Sequence, residues 1–273
     1  MTRASATAKL NLALVVGPAR ADGKHEVVTV LQRLALADRV ELTLGDGLTV
    51  EGFAEDTLVR AALTSLAIEA GVRPRWRAHI TKRIPVASGL GGGSSDAATA
   101  LLLANATLDE PLPGERLHDL AHALGADVPF FLTSGPQLGR EDGAALTPLD
   151  LPQDYFVLLV LPHGASKPAT GAVYDDFDKR GGGDGYDSRS AALLDVLSAV
   201  ARPRDLAALP PNDLTSSPPL ADELRALGAF RADVSGAGPT VYGLFHHRAT
   251  ADAARRRLRR RGRTWLTAPA WYG

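Results

Sequence analysis

Apolar and polar positions alternate over Lys9–Val15, with Leu10, Leu12 and Leu14 on one side and Lys9, Asn11 and Ala13 on the other. That is the period of a half-buried strand. His25–Leu31 is β-branched and reads as a second strand. Arg39–Leu44 and Leu48–Glu51 flank Gly45-Asp46-Gly47, a pattern that predicts a hairpin. Thr57–Ala70 has helical spacing, and Gly71 stands where a left-handed cap would close it. Trp76–Ile84 predicts a strand, Ala97–Asn105 a helix behind a glycine-rich loop, and Gly114–Leu124 a helix ending at Gly125.

Two prolines and a loss of periodicity over Thr147–Asp154 predict a boundary between a first domain, 1–150, and a second, 151–273. Beyond it Tyr155–Leu161 is an apolar strand. Pro168–Asp178 and Ser188–Val200 read as helices, separated by Gly181–Gly185, whose composition is that of a mobile loop. Helices are predicted at Pro219–Leu227 and Thr250–Arg261, and strands at Arg231–Ser235 and Thr240–Phe245. Interleaved helices and strands with hairpins predict an α+β fold in two lobes.

Composition narrows the chemistry. The 273 residues contain no cysteine, which excludes disulfides, thiolate metal sites and a cysteine nucleophile. A net charge of -1 gives no global attraction to nucleic acid or an anionic membrane. The first residues lack the pattern of a signal peptide, and no apolar run approaches the ~20 residues of a membrane span, so a cytoplasmic protein is expected. Lysine occurs only at 9, 24, 82, 167 and 179, leaving 25 of the 30 basic residues as arginine. Genome composition and heat adaptation both produce such a bias.

The densest chemistry lies in Pro85–Ala98, where Gly89, Gly91, Gly92 and Gly93 precede Ser94 and Ser95 at a helix start. Glycines let backbone N–H groups converge, and a helix N-terminus adds partial positive charge, so the segment predicts an anion cradle. It matches neither the dinucleotide nor the Walker fingerprint. Lys9 and Asn11 share a strand face, and Asp127 is the lone carboxylate of an apolar stretch, which asks for a compensating partner if it is buried. Taken singly, each has a plain alternative: a solvated strand end for Lys9, a turn or cap for Asp127.

Three segments together narrow these readings: Ala-Lys-Leu-Asn-Leu at 8–12, Gly-Leu-Gly-Gly-Gly-Ser-Ser at 89–95 and Ser-Gly-Ala-Gly-Pro-Thr at 235–240. They resemble, in order along the chain, the three motifs of the GHMP kinase superfamily. Arg20–His25, Leu124–Pro129 and Asn212-Asp213-Leu214 resemble the members that phosphorylate the 2-hydroxyl of 4-diphosphocytidyl-2-C-methyl-D-erythritol in the non-mevalonate isoprenoid pathway. The resemblance implies a two-lobed fold, with an N-terminal ATP-binding lobe and a C-terminal α/β sandwich lobe that supplies the late glycine loop. It implies ATP with Mg²⁺, held at Pro85, Gly89, Leu90, Gly91, Gly92, Gly93, Ser94, Ser95 and Asp96. Asp127 would accept the proton of the attacking hydroxyl, and Lys9 would stand beside it. Asn11, Asp22, Lys24, His25, Tyr174, Gly236 and Gly238 would face the acceptor.

The chain departs from the family at two of these positions. Lys24 stands where the family has an aromatic that contacts cytosine, and Asp96 where asparagine is common, adding a negative charge near the phosphates or a metal ligand. The partner expected is a small molecule, with neither nucleic acid nor membrane; a homodimer is compatible with the resemblance. His118 and His122 share a helix but lie beside its apolar stripe, with no third metal ligand evident. Arg255–Arg261 is a basic run whose Ala251, Ala254 and Leu258 give it a buried side, which predicts a solvated helix face. Trp265 and Trp271 read as packing residues. Three other functions stay open at this point: another GHMP small-molecule kinase of homoserine or mevalonate type, a silent nucleotide-binding module, and an RNA binder using the arginine helix.

Overall fold

The computed structural model describes residues 1–53, 58–165, 169–215 and 218–270. The predicted residues Thr57, Lys167, Pro168 and Trp271 lie outside them. Two long strands, β1 (Thr2–Ala19) and β2 (His25–Leu44), run antiparallel from Thr2 opposite Leu42 to Ala19 opposite His25. The other edge of β2 is shared, with β4 (Trp76–Thr81) along Arg39–Leu44 and β5 (Gln137–Arg140) along Thr29–Leu31. β3 (Thr49–Glu51) pairs in parallel with β4, and β6 (Ala145–Pro148) pairs with β5, giving a six-stranded sheet.

The hairpin predicted around Gly45–Gly47 therefore does not form. β4 alternates strictly and buries Trp76, Ala78 and Ile80, so it takes the edge of β2 and leaves three-residue β3 outside it. Helix α1 (Leu58–Glu69) makes the crossover between those parallel strands, burying Val59, Ala62, Leu63, Leu66 and Ala67 at helical spacing. Gly71 closes it at φ +65°, with the Val72 amide donating to Ala67 O at 2.9 Å. Helix α2 (Gly92–Asn105) packs against α1 and the sheet; Ala97, Ala98, Ala100 and Ala104 let it come close. Helix α3 (Gly114–Leu124) follows, then the 3₁₀ turn Pro129–Leu132.

After residues 149–155, which hold no regular element, a four-stranded antiparallel sheet takes over. Its order is β10 (Gly262–Thr267), β7 (Phe156–Pro162), β9 (Val241–Phe245), β8 (Arg231–Val234). Helices α6 (Pro219–Ala226) and α7 (Arg248–Leu258) pack on it, and α7 buries Ala251, Ala254 and Leu258 as its spacing predicts. Helices α4 (Thr170–Lys179) and α5 (Tyr186–Ser198) complete the chain. The hairpin β5–β6 and strand β10 have no counterpart among the predicted elements. Trp265, on β10, is half-buried, with the Arg263 guanidinium 5.0 Å from its ring centre.

The two sheets share an apolar core: Leu10 and Leu12 of β1 meet Leu159, Tyr242 and Leu244 of the second sheet. The fully buried Tyr242 donates its hydroxyl to Leu12 O at 3.2 Å and accepts from Arg231 Nε at 3.1 Å, so its polar tip is satisfied. Gly181–Gly185 is a compact turn rather than a loose linker. Gly182 lies against the Phe177 ring and Gly183 against Pro18, while Arg189 donates to the carbonyls of Gly182 and Asp184.

Candidate active site

β1 is buried on both faces from Ala6 to Gly17, so Lys9 is not a solvated strand end; it is 5% exposed. A buried ammonium must be paired, and Lys9 Nζ donates to Asn11 Oδ1 at 2.7 Å and lies 3.4 Å from Asp127 Oδ2. Asn11 is itself fixed, donating from Nδ2 to Thr29 Oγ1 at 2.9 Å, and Thr29 in turn to Ala13 O at 2.8 Å. Asp127 departs from the buried lone carboxylate that its apolar neighbours suggested. Its side chain is 44% exposed on the turn after α3, with Val128 and Phe130 anchoring that turn in the core.

Beside Lys9, whose amide donates to Leu90 O at 2.9 Å, the glycine loop turns through Ala87, Gly89 and Gly91, at φ +51°, +81° and +70°. Helix α2 begins at Gly92, earlier than the predicted Ala97, and its N-cap is Gly91, with no side-chain cap. Ser95 N already bonds Gly91 O at 2.9 Å; the first-turn amides of Gly92, Gly93 and Ser94 have no acceptor within the helix, and these three residues line the cavity. Gly91 is required twice over. Its backbone is left-handed, and a Cβ there would stand 2.8 Å from Lys9 Cγ and 2.9 Å from Phe131 Cζ.

The late loop is bound directly to the first. Ser235 Oγ donates to Gly89 O at 3.1 Å, and Thr240 N to Ser88 O at 3.3 Å. Asn212, which is buried, donates from Nδ2 to Gly236 O at 2.6 Å and to Val234 O at 3.1 Å. Its neighbour Asp213 accepts from Val16 N at 2.9 Å on β1. The Asn-Asp pair thus clamps the second sheet's loop to the strand that carries Lys9.

One cavity of about 450 Å³ gathers these parts. Lys9, Asn11, Pro85, Gly89, Gly91, Gly92, Gly93, Ser94, Asp127, Tyr174 and Gly236 line it. Of the other predicted residues, Leu90, Ser95 and Asp96 are buried behind the loop, where the helix packs on the core, and do not reach the cavity. Gly238 lies behind Gly89, and Asp22 sits on the exposed β1–β2 turn, accepting from Lys24 N at 3.0 Å. His25 is also outside the wall: it is buried, bonded to Asp178 at 2.8 Å, with its ring centre 4.6 Å from that of Tyr174.

Two charged clusters were not anticipated. Lys82 lines the cavity with Nζ 2.6 Å from both Asp38 Oδ2 and Asp96 Oδ2, carboxylates that are fully buried. Burial opposes the charge of Lys82, yet Asp96 and then Asp38 outweigh it and raise the pKa above the ordinary lysine value. Asp38 also accepts the amides of Arg83 and Ile84, bracing the approach to the glycine loop. Asp96 is therefore half of a lysine clamp rather than a free charge at the phosphates. The second cluster joins Asp142 to Lys24 at 2.5 Å and to His122 at 2.9 Å. Burial would raise the Asp142 carboxyl, but His122, Lys24 and the Ala144 amide hold it well below the usual carboxylate range. Burial first, then the nearby Asp127 and Asp142, push the Tyr174 hydroxyl up to about 12. No sequence spacing links 24, 122 and 142; Lys82, one of five lysines and three residues before Pro85, carried a faint signal.

The start of α2 and the lysine–carboxylate pair line one cavity, an arrangement of the kind a phosphotransferase uses. Comparison with known proteins agrees. Residues 57–135 match the family described as GHMP kinases N terminal domain, and residues 217–264 the one described as GHMP kinases C terminal. A Salinispora tropica protein named 4-diphosphocytidyl-2-C-methyl-D-erythritol kinase is 38% identical over 275 residues, covering 93% of this chain and 85% of its own length. One of the same name from Geobacter sulfurreducens is 35% identical, with 96% of each chain covered. The crystal structure of a 4-(cytidine 5'-diphospho)-2C-methyl-D-erythritol kinase superposes with a TM-score of 0.79 at 30% identity, covering 98% of this chain and 99% of that one. The Methanococcus jannaschii mevalonate kinase, at 12% identity and a TM-score of 0.77, shares the fold. The chain belongs to the GHMP kinases and, within them, to the 4-diphosphocytidyl-2-C-methyl-D-erythritol kinase family.

Proposed function

We propose that this protein transfers the γ-phosphoryl group of ATP to the 2-hydroxyl of 4-diphosphocytidyl-2-C-methyl-D-erythritol, a step of the non-mevalonate isoprenoid pathway. The observation that carries the reading is the Lys9–Asp127 pair, 3.4 Å apart, on the same cavity as the free amides of Gly92, Gly93 and Ser94. In this reading the amides receive the ATP phosphates and stabilise the charge that builds on them during transfer. Asp127 accepts the hydroxyl proton as the oxygen attacks the γ-phosphorus, and ADP leaves with the displaced bridging oxygen. Lys9, anchored on Asn11, orients the hydroxyl and the carboxylate together.

Among the described residues no group of three or more acidic or histidine side chains could hold a metal ion by itself. That fits Mg²⁺ carried mainly by phosphate oxygens and water, as this ion usually is with nucleotides. The Ser94 hydroxyl, at the start of α2 and on the cavity wall, would be its protein ligand. Bound there, the ion would neutralise phosphate charge. We assign the ATP and catalytic residues to 1–150, and the late loop and Tyr174 to 151–273, where they wall the acceptor. Both substrates are small, charged and water-soluble, which supports a cytoplasmic reaction with a small-molecule partner.

The test is ADP release with purified protein and a panel of alcohols: diphosphocytidyl methylerythritol, mevalonate and homoserine. Turnover confined to the first is expected. Turnover of mevalonate or homoserine in its place overturns the acceptor assignment, and no turnover of any alcohol overturns the kinase reading.

A further inference from the structure

Asp142 has no task in the phosphoryl transfer described above, yet it is held with unusual care. It stands on the turn between β5 and β6, its side chain 7% exposed, on the wall of the cavity. Its Oδ2 accepts from Lys24 Nζ at 2.5 Å and pairs with His122 Nε2 at 2.9 Å, and its Oδ1 accepts from Ala144 N at 3.2 Å. These donors come from the β1–β2 turn, from α3 and from its own turn, so three segments converge to fix one carboxylate. An ionised carboxylate offers about four lone-pair positions. Three are taken, and the one that remains lies on Oδ1. Tyr174 lines the same cavity, so an aromatic ring and a fixed acceptor share its wall.

We infer that Asp142 is a specificity-determining residue that reads the base of the acceptor, its remaining lone pair receiving the exocyclic amino group of a cytosine. The inference rests on the acceptor proposed above. A carboxylate accepts from the cytosine 4-amino group, whereas uracil presents a carbonyl oxygen there, and two acceptors facing each other leave both unpaired. Lys24 and His122 act as positioning residues. They hold the carboxylate ionised and occupy Oδ2, so that the acceptor position left is on Oδ1. Lys24, in place of an aromatic, thus contributes through Asp142 rather than through a stacking face.

The experiment compares kcat/KM for the cytidine and uridine diphosphate forms of the same methylerythritol acceptor, in the wild type and in Asp142→Asn. The wild type is expected to prefer cytidine. Asp142→Asn is expected to lower that preference by about 10- to 100-fold, the size of one hydrogen bond to a charged group, with KM for ATP unchanged. Lys24→Met combined with His122→Ala should lower the preference in the same direction but by less, a change that loss of general packing would not produce. Equal use of both acceptors by the wild type overturns the inference whether or not the variants fold, and so does an unchanged preference in folded Asp142→Asn; the proposed reaction survives either result. If the wild type phosphorylates neither acceptor, the proposed reaction falls and the inference with it.

Discussion

Asp127→Asn is expected to separate catalysis from stability. The substitution keeps the shape of the side chain and removes its charge and basicity. Its stability effect should be small, because the carboxylate is 44% exposed and its ion pair with Lys9 spans 3.4 Å. Pairs of that kind contribute up to about 1 kcal/mol, a shift of about 2–4 °C in Tm for a chain of this size. Lys9 keeps its 2.7 Å bond to Asn11, so the buried ammonium is not orphaned and the strand is not disturbed. The catalytic effect should be large: a positioned general base contributes about 10²–10⁴-fold, or roughly 3–5.5 kcal/mol of barrier. The assay is steady-state ADP release with the diphosphocytidyl acceptor, with calorimetric melting of the same sample. The expected pattern is a kcat lowered at least 100-fold, an unchanged KM for ATP and a Tm within a few degrees of wild type. A kcat within tenfold of wild type, in folded protein, would refute the assignment of Asp127 as the base.

Three further outcomes follow from the geometry. Asn212→Ala removes two donated bonds and one accepted bond from a buried clamp, and should lower stability by about 2–4 kcal/mol in denaturant unfolding. Gly91→Ala must hold an alanine at φ +70° with its Cβ 2.8 Å from Lys9 Cγ. That costs about 1–2 kcal/mol in backbone energy alone, and kcat should fall as Lys9 is displaced, both read from melts and turnover. Tyr174 ionises only at about 12 in the native protein, against about 10 when unfolded. The native state then keeps a proton that the unfolded chain has released, so this residue's contribution, about 2–3 kcal/mol, is complete below pH 10 and is lost as pH rises through 12. Unfolding at pH 9 and pH 11.5 should show a smaller loss in Tyr174→Phe than in wild type.

Several elements were legible because their signal is local. The stripe Val59, Ala62, Leu63, Leu66, Ala67 and its Gly71 cap, the stripe Ala251, Ala254, Leu258, and the glycine run before α2 all act within a few turns of chain. The Gly45–Gly47 hairpin failed for the opposite reason. Whether Leu48–Glu51 pairs with β2 depends on a competitor 25 residues onward, and Trp76 with its alternating neighbours wins that edge. The alternation over Lys9–Val15 located a strand but could not show that both of its faces would be covered, the second partly by residues some 200 positions away. The same holds in the site. Lys9, Asp127 and the cradle were legible as motifs, while the Lys82 clamp and the grip of Lys24 and His122 on Asp142 depend on contacts across 14 to 118 residues that no spacing rule reaches.

The clamp at Asn212 and Ser235 also bears on the order in which the protein comes into being. Synthesis delivers β1, the glycine loop and Asp127 within the first half of the chain, yet the groups that close them, Asn212, Asp213 and Ser235, leave the ribosome near its end. Until then β1 lacks its bridge to Asn212, and the core around Leu10 and Leu12 lacks Tyr242 and Leu244. A nascent chain stalled before residue 212 would carry every proposed catalytic group and still expose an apolar face, making it a client for holdase chaperones rather than an enzyme.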